Sequence, residues 1–256
     1  MSVLVLPILG MHLLWASGAY VGSEPAAAAG QQTFTVMTAN LFEGRADPAS
    51  VVDVALAHEV DVVVLVEATP EALAGLRDAG LNRAFPHHRG EAVEGVAGTV
   101  VVSRYDLSQV VPLDTTYRGF AMRVALSGGG IDLLAVHPFP PLGDARAWRA
   151  DHRRVLRAAT AAEGPAVIAG DLNATLDHQP VRELAERGFT SAAELARSGW
   201  QPTWPAAGEV SVLGVAVPSL LQLDHVLVDD GVRVLETDAV TIDGTDHRAL
   251  VATLAL

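Results

Sequence analysis

The sequence predicts an α/β fold over residues 33–256, with two β-sheets packed face to face and helices on the outside. Short apolar strands alternate with helices from Thr33 to about Gly80, and the middle of the chain is rich in strands joined by tight turns. Strand after strand also ends in a polar residue, as expected when one rim of a sheet carries a site.

Thr33 to Ala39 reads as a strand ending at Asn40. Asp47-Pro48 then supplies an N-cap and a proline at the first helical position, opening a helix to about His58. The β-branched run from Asp61 to Val66 is a strand ending at Glu67, and Thr69-Pro70-Glu71 opens a helix that closes near Gly80. Gly98–Ser103, Leu107–Leu113, Phe120–Leu126 and Ile131–Val136 follow as strands, with Gly128-Gly129-Gly130 as a hairpin turn. The last of these ends in His137, before Pro138, Pro140 and Pro141, and a helix spans about Asp144 to Ala161.

Ala166 to Ala169 is a short buried strand, expected to break at Gly170. Asp171 and Asn173 then lie two apart and, at strand spacing, point the same way out of the sheet. A turn capped by Asp171, with Asn173 in the left-handed conformation, is the other reading of these residues. Asp177 to Pro180 forms a loop into a helix from Val181 to Arg187. Ser198 to Pro218, rich in Trp, Pro and Gly, is a long loop near the site. Leu220–Val228 and Leu250–Leu256 are the closing strands, carrying Asp224-His225 within the first and Asp246-His247 just before the second.

Half of the residues are hydrophobic, enough for a large core, and the absence of cysteine excludes disulfides, thiolate metal sites and a cysteine nucleophile. The net charge is −13 and every basic residue is an arginine, so the chain lacks the basic surface that grips long DNA. Residues 1–32 form a separate segment. Val3 to Gly22 is an uncharged apolar run long enough to span a bilayer, and the Ala-rich stretch after it, with Ala27-x-Ala29, suits a signal-peptidase site. The expectation is a membrane anchor or export signal, with the domain that follows membrane-anchored or secreted, outside the cytoplasm. A helix buried against the domain is the alternative.

Asn40, Glu67, the Ser103-Arg104-Tyr105 turn, His137, Gly170-Asp-Leu-Asn-Ala174, Asp224 and Thr245-Asp-His-Arg-Ala249 together resemble the endonuclease/exonuclease/phosphatase superfamily, in that family's order. The likeness extends to deoxyribonuclease-like, sphingomyelinase-like and membrane-linked actinobacterial members. It implies a four-layer α/β sandwich and Mg²⁺-dependent phosphoester hydrolysis, with Mn²⁺ as the alternative ion. By position, the resemblance gives the metal to Glu67 with Asn40 beside it and Asp246 close by. His247 paired with Asp224 acts on the water or the phosphate, Asp171 orients the water, Asn173 binds a phosphate oxygen, and His137 assists the phosphate or the leaving group. A hard cation, two histidines and orienting carboxylates are what in-line attack on a phosphoester needs. Val66 stands where the family usually has Gln, and Thr245 where Ser is commoner. A second acidic residue of the deoxyribonuclease branch has no counterpart, which weighs against DNA cleavage.

The expected function is a divalent-metal phosphodiesterase or phosphatase acting on a small phosphoester or lipid head group. An extracellular nuclease on short or single-stranded nucleic acid is the alternative, and an inactive binding module of the same fold a further one. Taken alone, Glu67 could serve the next helix as a capping partner and Asp224 could pair with Arg248. His225, Arg104, Trp200 and Trp204 read as structural, and His12, His58, His87, His88, His152 and His178 match no motif.

Overall fold

The computed structural model describes residues 30–206, 211–212 and 215–256, the side chains of 211–212 excepted. The expected anchor or signal, Val3 to Gly22, lies outside the described residues. Among those described, no helix is long and apolar enough to cross a membrane.

In chain order the strands are β1 (Thr33–Asn40), β2 (Val62–Val66), β3 (His87–Glu91), β4 (Thr99–Ser103), β5 (Leu107–Pro112), β6 (Phe120–Leu126) and β7 (Gly129–Val136). They continue with β8 (Ala166–Asp171), β9 (Thr190–Ser191), β10 (Ser211–Val212), β11 (Val215–Ala216), β12 (Asp224–Val228), β13 (Arg233–Thr241) and β14 (Arg248–Ala255). The helices are α1 (Pro48–Ala57), α2 (Pro70–Asp78), α3 (Leu81–Ala84), α4 (Ala145–Thr160), α5 (Gln179–Ala185) and α6 (Ala192–Ala196). The expected caps are in place: Asp47 accepts from the amides of Ala49 and Ser50, and Thr69 Oγ1 accepts from Ala72 N.

One six-stranded sheet runs β13-β14-β1-β2-β4-β3 and the other β5-β6-β7-β8-β12-β9. Each is mixed: β1 and β2 are parallel, as are β7 and β8, while the other neighbours are antiparallel. The layer between the sheets is built from alternate residues, among them Phe34, Val36, Val62, Val64, Leu133, Val167, Val226 and Leu250. The intervening residues pack the first sheet on α1 and α2 and the second on α4 and α5. The expected four-layer sandwich is the fold.

This alternation places the site. Continuing the inter-sheet parity past Val36, Ala135, Ala169 and Val226 brings Asn40, His137, Asp171 and Asp224 to the rim of the same layer. β12 is antiparallel to β8 with Asp224 opposite Asp171, so its first residue meets the last residue of β8.

The expected break at Gly170 does not occur. Gly170 sits inside β8 at φ 150°, paired with Val136 and His225. A Cβ there would stand 1.9 Å from the Val136 carbonyl oxygen, so glycine is required for the approach of β7 rather than for a turn. Gly170→Ala is expected to cost about 3 kcal/mol from overpacking and backbone strain. That lowers the thermal midpoint by about 10 °C, and a drop of less than about 2 °C would refute this account of the position.

Other boundaries also differ from expectation. β12 begins at Asp224 rather than Leu220, the Ser198–Pro218 segment contains the short hairpin strands β10 and β11, and β3, β9, β13, α3 and α6 are additional elements.

Candidate active site

Asn40 links the two sheets at the rim. Its Nδ2 donates to Glu67 Oε1 at 3.0 Å and to Asp171 Oδ2 at 3.1 Å, while its Oδ1 accepts from Phe42 N at 2.9 Å. Glu67 leaves the strand alternation through a left-handed backbone, φ 55°, and its Oε2 accepts from Glu43 N at 2.7 Å. It does not cap α2, which Thr69 does.

Asp171 lies at the centre. Its Oδ1 accepts from Asn173 N at 2.7 Å, and its Oδ2 stands 3.8 Å from Nε2 of both His137 and His247. His247 Nδ1 donates to Asp224 Oδ2 at 2.8 Å. Asp224 therefore pairs with His247 and not with Arg248, whose guanidinium donates to the Pro202 and Ala239 carbonyls. Thr245 fixes this segment: its hydroxyl donates to Asn40 O at 2.8 Å and accepts from His247 N at 3.2 Å. The turn reading of the Asp171-Leu-Asn173 stretch is the one the backbone follows, since β8 ends at Asp171. Asn173 is left-handed at φ 47° and bonded to Asp171 as a turn, and its Nδ2 donates to Pro138 O at 3.0 Å.

Asp246 stands apart from this network, its Oδ2 accepting from Trp204 Nε1 at 3.1 Å. Two supports carried no signal in the sequence. Thr203 Oγ1 accepts from the amides of Leu223 and Asp224 and so sets the start of β12, and Tyr117 lies 4.9 Å from the His137 ring at a tilt of 46°. The Trp at 204 was visible only as loop packing. His225 is structural as expected, its Nε2 donating to Ala174 O, and Arg104 pairs with Asp61 at 3.7 Å.

Burial and charge give the two site histidines opposite states. Burial works against a charged ring at both. At His247 it is outweighed by Asp224, through charge and hydrogen bond, and then by Asp171 and Asp246, which push the ring up to about 10. His137 is lowered by burial despite Asp171 and is neutral. Burial, and then repulsion from Asp224, raises Asp171, and burial raises Glu67. An imidazolium beside a neutral imidazole, with a carboxylate between them, suits a site that stabilises anionic oxygens and accepts a proton.

His152, on α4, supports the site from below, its Nε2 donating to Leu172 O at 3.0 Å and its Nδ1 having no partner. Burial lowers it to about 4. Its folded value is below the unfolded one, so its contribution to stability is complete above about pH 6.5 and is lost as the pH falls towards 4. The loss should reach about 2 kcal/mol at pH 5, and His152→Gln should flatten the fall in thermal midpoint between pH 7 and pH 5. An unchanged slope would show that this ring does not set the acid limit.

Among the described residues one acidic and histidine cluster could hold a metal: Asp171, Asp224 and His247, whose ligand atoms lie within 4.8 Å of one another. A protonated His247 bonded to Asp224 has no lone pair for a cation. The better donors are Glu67, Asn40 Oδ1 and Asp171. These are hard oxygens, and no arginine salt bridge reaches Glu67 among the described residues. A half-buried carboxylate whose charge is disfavoured by burial fits a hard divalent cation.

A family model described as Endonuclease/Exonuclease/phosphatase family matches residues 37–247. The solved structure of D. rerio TDP2 complexed with single strand DNA product is similar, with a TM-score of 0.73 at 16% identity over 87% of this chain and 99% of that one. An endonuclease/exonuclease/phosphatase from Beutenbergia cavernae gives a TM-score of 0.63 at 22% identity, over 88% of this chain and 72% of that one. For the mannosyl-6-phosphatase of Bacteroides thetaiotaomicron the TM-score is 0.62 at 13% identity, over 87% and 100%. No curated protein sequence matches this one. At these identities the likeness to solved structures is one of fold.

Proposed function

The chain belongs to the endonuclease/exonuclease/phosphatase family, whose members hydrolyse phosphoesters, and on that premise we propose a divalent-metal-dependent phosphoester hydrolase centred on Asp171. The observation that carries this reading is the surrounding of Asp171 Oδ2 by Asn40 Nδ2 and the Nε2 atoms of His137 and His247. Glu67 with Asn40, and by the family likeness Asp246, would hold Mg²⁺ or Mn²⁺, which would supply positive charge to the phosphoryl oxygens and lower the pKa of water. Asp171 orients the water and accepts its proton as oxygen attacks phosphorus. The bond from phosphorus to the leaving oxygen breaks, and that oxygen leaves as the alcohol after taking a proton from solvent. His247, held charged by Asp224, stabilises the charge that grows on the phosphoryl oxygens. The neutral ring of His137 donates a hydrogen bond from Nε2, and the Asn173 amide binds a further oxygen.

The charge of −13, carried on a chain without lysine, favours a small phosphoester or lipid head group over long nucleic acid. On the same reading residues 3–22 anchor or export the domain, which acts outside the cytoplasm. A screen of nucleotides, short oligonucleotides, phospholipids and inositol phosphates with Mg²⁺-loaded protein tests the substrate class. The expected result is preferred turnover of a small or lipid phosphoester. A preference for oligonucleotides would favour a nuclease, and no turnover of any class a binding module.

A further inference from the structure

We propose that the wall beside His247 is a subsite for an alkyl or acyl portion of the substrate, so that the phosphoester is an amphiphile; this rests on the hydrolase reading above. A cavity of about 820 Å³ opens there, within the roughly 300–1,000 Å³ range of small-molecule sites. Asn173 and His247 line it, so it is continuous with the hydrolytic centre. The rest of its wall is largely apolar, including Leu142, Trp200, Trp204, Leu220 and Leu221.

The wall does not have the charge that a polynucleotide needs. Among the described residues no arginine lines the cavity and the one carboxylate in its wall is Asp177, and the chain has no lysine. A nucleotide chain entering here would meet, among the described lining residues, no cation beyond His247 at the centre itself. An alkyl chain would remove apolar surface from water on both partners.

The apolar side chains are open to solvent: Leu142 is 100% exposed, Trp200 55%, Leu220 48% and Leu221 40%. Exposed leucines and a tryptophan around one opening mark a binding surface, whereas scattered exposed apolar residues do not. The wall is also fixed to the catalytic segment. Trp204 exchanges backbone hydrogen bonds with Leu221 at 2.8 Å in each direction, and its ring donates to Asp246, next to His247. One short paired segment thus holds both the apolar wall and the residue beside the catalytic histidine.

The test is calorimetric titration of the full chain, with Mg²⁺, using butylphosphonate and octylphosphonate, whose carbon–phosphorus bonds resist hydrolysis. Burial contributes about fourfold per methylene, so octylphosphonate should bind at least about tenfold tighter than butylphosphonate even if the chain is only partly covered. Its binding should also show a more negative heat-capacity change. Leu142→Asp and Leu221→Asp should each reduce the preference to less than about threefold. Leu142 is fully exposed, so its substitution is compatible with folding. Equal affinities in the wild type, or a preference that persists in both variants, would overturn the subsite. Residues 3–22 could hold the full chain on vesicles whatever the subsite does, so displacement of bound octylphosphonate by phosphatidylcholine vesicles, rather than vesicle binding itself, separates the two sources of the alkyl group. Displacement in the wild type means that the site takes lipid from a bilayer; no displacement means that it takes soluble amphiphiles. Hydrolysis of bis-p-nitrophenyl phosphate is read separately, and its absence alongside a retained octyl preference would remove the catalytic reading and leave an amphiphile-binding site.

Discussion

His247→Ala is expected to lower turnover by at least about a hundredfold, the usual scale for losing a positioned acid–base group. Among the described residues, the variant deletes the one cation directed at the centre and leaves the buried Asp224 without its charged partner. Asp171→Asn should lower turnover as much, because the amide cannot take the proton of the attacking water. Its effect on stability should be the opposite. Burial and Asp224 both disfavour the charge on Asp171, so neutralising it should leave the thermal midpoint unchanged or raise it. A site that is costly to the fold and necessary for turnover gives this divergence. Losses below about tenfold in both variants would remove the two residues from the roles assigned here.

The second large effect is expected at Glu67. Glu67→Gln keeps the shape, and its amide can still contact Asn40, but it removes the charge that would hold a divalent ion. Turnover should fall at least about a hundredfold at low Mg²⁺, and part of it should return as Mg²⁺ is raised. That concentration dependence separates a ligand from a residue that merely holds Asn40. Loss of turnover that no Mg²⁺ concentration restores, together with a lowered thermal midpoint, would assign Glu67 to holding the fold.

Much of this arrangement was legible in the residues. Asn40, His137 and Asp171 each follow an apolar run that alternates between an inter-sheet face and a helix face, so their common rim follows from a period of two. The packed sheets followed from the mixed strand and helix pattern, while the Asp224–His247 pair and the four-layer form came from the family resemblance, and the geometry agrees with both. What stayed hidden depends on contacts distant in sequence. β3, His-His-Arg-Gly-Glu, is a largely exposed polar edge strand with no apolar run, and β13 mixes charges with a register shift between Val234 and Glu236. In the sequence Gly170 reads as a break because glycine usually marks one, whereas the close approach of Val136 requires it. Thr203 and Tyr117 act through the residues they hold in place, which no local pattern reveals.

Hydrolysis of bis-p-nitrophenyl phosphate by the full chain, with Mg²⁺ or Mn²⁺ and then with EDTA, tests the convergence of these side chains on one reaction most directly. The expected result is turnover with metal, its loss on chelation, and its return when the ion is restored. Turnover that survives EDTA, or none with either ion across neutral pH, would contradict the assignment.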